Sequence, residues 1–170
     1  RQMTAIMFTD IVGYSKQMGA DEAAMVKKLS IHNEIMRNQI VRNRGTVIKT
    51  IGDELMCTFP GPMAGLMAGI DMQRRVHGDA VWQRDFLAVR IGLHHGEALL
   101  EDNDVYGDAV NTAARMTSMA KREQIVTTLS TIRGLTNSSI IRTRHLGDVR
   151  VAGKQHPVEI VDVIWQEDTS

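Results

Sequence analysis

Asp10 closes an apolar run at residues 3–9, and Asp53 sits in the Gly52-Asp53-Glu54 break between two β-rich runs at 46–51 and 55–59. Strand ends at one sheet edge can present two carboxylates to a common point, and hard divalent cations take such oxygen ligands. Either aspartate alone reads equally well as a turn residue. Farther along, Asn111 and Arg115 stand four apart on a predicted helix, so both project from one face. There they offer a donor pair to a phosphate or a ribose, although a surface Asn and Arg at this spacing are also commonly only solvated. The turn Ile11-Val-Gly-Tyr-Ser15 leads from the first strand toward a helix, and its backbone amides could cradle phosphate.

The elements that must carry these groups alternate between strand and helix. Asp21 can cap a helix running to about residue 43, with Met25, Leu29, His32, Met36 and Ile40 at three- and four-residue spacing. The runs 46–51 and 55–59 form a hairpin, and Pro60-Gly61-Pro62 starts a second helix to about residue 76. Leu87, Val89, Ile91 and Leu93 alternate with Ala88, Arg90, Gly92 and His94, the pattern of a strand with one buried face. A helix at 108–120, capped by Asp108, a strand at 124–128, a short helix at 130–135 and a last hairpin at 144–152 and 158–165 complete the chain. The order predicts one α+β or mixed α/β domain with a central sheet.

Composition limits the partners. Lys plus Arg and Asp plus Glu number 20 each, so no net field attracts nucleic acid or an anionic membrane. A phosphorylated substrate must then be held by metal ions and a few placed cations. At 170 residues and 43% hydrophobic content the chain can bury a real core. No apolar run reaches the roughly 18 residues of a bilayer span, and no signal peptide is visible. The single cysteine, Cys57, lies in an apolar run and reads as a small buried hydrophobe in a reducing compartment. These features suggest a soluble, cytoplasmic domain that does not itself contact a membrane. A start at Arg1 suggests a piece excised from a longer protein, which could be membrane-anchored.

Three motifs in order, Phe8-Thr-Asp-Ile-Val-Gly-Tyr-Ser15, Lys49-Thr-Ile-Gly-Asp53 and Asp104-Val-Tyr-Gly-Asp-Ala-Val-Asn-Thr-Ala-Ala-Arg115, resemble the catalytic domain of the class III adenylate and guanylate cyclases over nearly the whole chain. The resemblance implies a ferredoxin-like, palm-type sheet with helices on its outer face. It assigns Asp10, Asp53 and the carbonyl of Ile11 to two divalent ions, Mg²⁺ or Mn²⁺. The turn at Val12, Gly13, Tyr14 and Ser15 would hold the triphosphate, and Lys49 and Asp104 would read the base. Asn111 would orient the ribose, and Arg115 would stabilise charge on the α-phosphate. Because Lys donates and Asp accepts, the pair matches adenine and not guanine, which implies ATP cyclised to 3′,5′-cyclic AMP and pyrophosphate. The family pattern also implies a homodimer with sites shared between subunits.

The chain departs from the family at Val151-Ala-Gly-Lys154, where Val-Lys-Gly-Lys is usual. Ala152 cannot donate, and Lys154 could take over the contact to phosphate. Three other readings stay in view: a guanylate cyclase, a diguanylate cyclase suggested by Gly52-Asp-Glu-Leu55, and a cyclase-like module that only dimerises or binds nucleotide. His94, His95 and Glu97 look like metal ligands, but alternation places the two histidines on opposite faces. They read as structural.

Overall fold

The computed structural model describes residues 1–79 and 88–167. Leu87, the first residue of the predicted alternating strand, lies outside the described residues. In chain order the elements are β1 (Gln2–Ile11), α1 (Tyr14–Ala20), α2 (Glu22–Arg42), β2 (Thr46–Ile51), β3 (Glu54–Phe59), α3 (Pro62–Gly78), β4 (Val89–Glu101), β5 (Asp104–Tyr106), α4 (Asp108–Met119), β6 (Ile125–Thr128), α5 (Leu129–Arg133), β7 (Thr143–Val149) and β8 (Val158–Val163). A 3₁₀ turn at Ser138–Ile140 precedes β7.

β1 has apolar residues on both of its faces because the sheet is covered on both. Ala5 and Met7 point into a core with Met25, Met36 and Ile40 of α2 and Leu66, Ile70 and Met72 of α3. Ile6 and Phe8 point the other way, into a smaller cluster with Ala109 and Ala113 of α4. α2 and α3 thus cover the outer face, and α4 crosses the face that carries the site. Gly92 makes this crossing possible: a Cβ there would lie 2.1 Å from the backbone nitrogen of Thr117. Any side chain would push α4 away from the sheet.

The strands run in the order β2-β3-β1-β4-β6-β8-β7, with β5 paired on β4. β1 is antiparallel to β3 and β4, and β2 to β3. Helices connect β1 to β2 and β3 to β4, so the first four strands make the ferredoxin-like arrangement. β6 adds to β4 in parallel, and the β7–β8 hairpin extends the sheet beyond it. The fold class is the one the motifs implied. Among the described residues, no helix is long and apolar enough to cross a membrane.

Candidate active site

Two sets of polar residues form on this framework, each with its own hydrogen bonds. At the C-terminal end of β1 the register pairs Asp10 directly with Arg90 of β4. The Arg90 guanidinium donates to both Asp10 oxygens, from Nε at 2.8 Å and Nη2 at 2.5 Å. The turn from β2 to β3 brings Asp53 alongside, and its Oδ2 accepts from the backbone N–H of Ile11 at 2.8 Å. Partial burial raises the Asp53 pKa above the ordinary carboxylate value, against the Ile11 N–H, and the negative charge of Asp10 adds to the rise. The structure therefore brings Asp10, Ile11 and Asp53 to one corner.

This corner suits hard cations. Two carboxylates repel one another there, and each Asp10 oxygen keeps a lone pair beyond the one that faces Arg90. Gly13 follows in the left-handed conformation (φ 78°) as the residue before α1, which lets the chain turn sharply after Ile11. Val12 donates its N–H to the carbonyl of Ala88. A cavity of about 610 Å³ opens beside Val12 and Gly13, lined also by Arg90, Lys121 and Arg122. Sequence reasoning missed Arg90, which it read only as the polar member of an alternating strand.

The second set lies on α4 and the strands beside it. A bulge in β2 between Val47 and Lys49 precedes the lysine. Asp104 opens β5 after a turn in which Asp102 and Asn103 both have positive φ, 53° and 59°. Lys49 Nζ stands 3.1 Å from Asp104 Oδ2, while Asp104 Oδ1 accepts from the N–H of Val105 at 2.8 Å. That N–H and the lysine hold the Asp104 carboxyl below the ordinary carboxylate pKa. Arg115 donates from Nε to the carbonyl of Arg150 at 3.0 Å and from Nη1 to Ser118 Oγ at 3.3 Å. Asn111, one turn before it, is exposed.

One expectation changes here. Asp108 does not cap α4: Gly107 (φ 125°) occupies the cap position and has no side chain to cap the helix with. The Asp108 carboxylate instead pairs with Lys154 at 3.0 Å, so Lys154 stands at the start of α4. His94 is buried and hydrogen-bonds Thr128 at 2.8 Å, whereas His95 is half-buried, consistent with opposite faces. A separate group, His145, Asp148 and Glu159, clusters on the exposed β7–β8 hairpin and shares no residue with the strand-end corner.

Strand-end carboxylates beneath a helix carrying Asn and Arg, on a ferredoxin-like sheet, define the palm-type nucleotide cyclase class. Residues 1–161 match the family model described as "Adenylate and Guanylate cyclase catalytic domain", and the chain belongs to this family. It is 28% identical over 159 residues to an adenylate cyclase of Glutamicibacter nicotianae, covering 92% of this chain and 38% of that protein. The chain therefore spans well under half the length of that relative. Among solved structures, a Trypanosoma brucei adenylate cyclase in its monomeric state superposes with a TM-score of 0.85 at 24% identity, covering 95% of this chain and 87% of that one. A dimeric guanylyl cyclase domain from Blastocladiella emersonii gives 0.80 at 20%, covering 96% and 97%. These likenesses establish the fold. Both substrate types occur among the relatives and neighbours.

Proposed function

We propose that residues 1–170 form one catalytic unit that converts ATP to 3′,5′-cyclic AMP and pyrophosphate. The observation that carries this reading is the Lys49–Asp104 pair, a donor and an acceptor side by side at 3.1 Å on an accessible face. The lysine can donate to a ring nitrogen of adenine and the carboxylate can accept from its exocyclic amine. Guanine offers the opposite edge, so it would set acceptor against acceptor and donor against donor.

The remaining residues take roles that suit their positions. Asp10, Asp53 and the Ile11 carbonyl would hold two divalent cations, Mg²⁺ or Mn²⁺. Bound there, the ions would supply Lewis-acid activation of the ribose 3′-hydroxyl and neutralisation of phosphate charge. Val12 and Gly13 border the cation-lined cavity, and the segment Val12, Gly13, Tyr14 and Ser15 that runs from this turn into α1 would receive the triphosphate. Asn111 would hold the ribose for in-line attack, and the Nη donors of Arg115 beyond the one on Ser118 would meet the charge that develops on the α-phosphate.

The separate hydrogen bonding of the two sets supports a head-to-tail homodimer, in which the aspartates of one subunit face the Asn111 and Arg115 of its partner. Lys49 and Asp53, four residues apart, would then serve opposite sites. Incubation with ATP or GTP and Mg²⁺ or Mn²⁺, with the product identified by mass, tests the reading. Cyclic AMP from ATP is expected. Cyclic GMP as the main product would replace it with a guanylate cyclase, and no cyclic nucleotide under any condition would leave a binding or dimerisation module.

A further inference from the structure

Asp108, Asn111 and Arg115 fall three and four residues apart, so they line one exposed stripe of α4. The 150–157 loop between β7 and β8 touches this stripe at both ends. Lys154 Nζ is 3.0 Å from the Asp108 carboxylate at the first turn, and the Arg150 carbonyl accepts from Arg115 Nε at 3.0 Å two turns later. Asn111 lies between the two contacts. The loop is itself anchored, because its Val151, with Val149 at the end of β7, is buried in a cluster with Met116 of α4 and Ala120 just after that helix. Its turn closes through the N–H of Lys154 on the carbonyl of Val151 at 3.1 Å. At Gly153 (φ 86°) a Cβ would lie 3.3 Å from Asp108 Oδ1, so the backbone passes close to the carboxylate.

We propose that the 150–157 loop braces α4 at two points, and that Lys154 is a positioning residue for Asn111 and Arg115 rather than a ligand of the phosphates. The inference rests on the assignment of Asn111 and Arg115 to the nucleotide. Its logic is geometric. Asp108 already holds one of the three ammonium donors, and a lysine drawn away to a phosphate would release the first turn of the helix that must hold the ribose. The pair is partly exposed, with side-chain exposures of 36% and 52%, and such pairs contribute little to global stability. Its effect is therefore local. A 1 Å misplacement of a catalytic group can cost roughly 100-fold, and release of one of two braces should cost less, about tenfold.

Kinetics of Lys154→Ala, Asp108→Ala and the double variant decide between the two roles. A brace predicts that each single change lowers kcat about tenfold with KM for ATP within about twofold, and that the double variant is no worse than either single one. The swapped pair, Asp108→Lys with Lys154→Asp, should recover at least half the loss, and Tm should move by less than about 3 °C in all. A phosphate ligand predicts raised KM in Lys154→Ala alone, additivity in the double variant and no recovery in the swap; that pattern overturns the proposal. A readout independent of turnover is the Arg115 Nε–H signal in ¹⁵N-arginine spectra, identified by its loss in Arg115→Lys. Its exchange with water should quicken at least about fivefold in Lys154→Ala. If no variant nor the parent makes cyclic nucleotide, the substrate reading fails while the exchange rate still decides the brace, and an unchanged rate overturns it.

Discussion

The strand-end corner and the α4 face bring similar groups together by different physics. At the corner, sheet register does the work: Asp10 faces Arg90 because β1 and β4 pair residue for residue, and Asp53 is fixed by a two-residue turn and the Ile11 N–H. On α4 the groups are exposed and are held by single contacts to loops, Lys154 on Asp108 and Arg115 on the Arg150 carbonyl. Errors at the corner would require the sheet to shift. Errors on α4 require only a loop to move. The corner is thus suited to hard ions that tolerate little change in their ligands, and the α4 face to a substrate that must enter and leave.

The largest expected effect breaks the corner. Asp10→Asn or Asp53→Asn should lower cyclase turnover by roughly 1,000-fold, since loss of several kcal/mol of charge stabilisation costs tenfold per 1.4 kcal/mol. Far-UV circular dichroism and Tm should show an intact fold. Near-normal turnover in a folded variant of either kind would refute the metal assignment.

A mixing experiment tests whether the two regions belong to one site or two. Asp53→Ala and Arg115→Ala should each be nearly inactive, each having lost one half of the chemistry. Random exchange of equal amounts puts about half the dimers in the mixed form, each with one complete site of two. Recovery should approach about a quarter of wild type. A mixture as inactive as its components, with subunit exchange demonstrated by mass, would place the whole site within one chain.

A smaller, selective effect is expected within the α4 face. Lys49→Glu with Asp104→Cys should shift the ratio of GTP to ATP turnover upward by about 100-fold or more, because a site built for one hydrogen-bonding edge strongly rejects the other. Retained ATP preference in an active double variant would show that these residues do not read the base.

What was legible beforehand follows the same division. Asp10, Asp53, Asn111 and Arg115 could be located on strand ends and a helix face because apolar runs, a Gly-Asp turn and helical spacing mark those places locally, whereas Lys49 and Asp104 stood out only through the resemblance to the cyclase family. Arg90 could not, since its role comes from a pairing across 80 residues and alternation shows only that it is polar. β5 spans three residues, too few for any periodicity, although the Asp102-Asn103 pair before it was a usable signal for a tight hairpin. Asp108 looked like a helix cap by residue type, but Gly107 takes that position and Lys154, 46 residues on, takes the carboxylate. The contacts between loop and helix were as hidden as the strand register.

The smallest effects concern stability, and two buried histidines report on the two regions separately. Burial lowers the pKa of His32 to about 4, against an Asn33 hydrogen bond and the charge of Asp10. Burial also lowers His94 to about 4, helped by Lys154 and His95 and opposed by Asp108. Both are neutral when folded near pH 7, and in the unfolded chain each titrates at about 6.5. As pH falls below that value the unfolded state binds protons that the folded state refuses, so stability present above pH 6.5 is lost down to about pH 4. By pH 5 the loss is about 2 kcal/mol for each histidine, or roughly 10 °C in Tm for the pair. His32→Gln and His94→Gln should each remove about half of the fall between pH 7.5 and 5, measured by thermal unfolding. Loss of the Lys154 charge in Lys154→Ala should ease protonation of His94 and flatten its share of the fall, while leaving that of His32 unchanged. A pH profile identical in all four proteins would mean that neither histidine is held neutral, and that acid acts on this fold through its carboxylates alone.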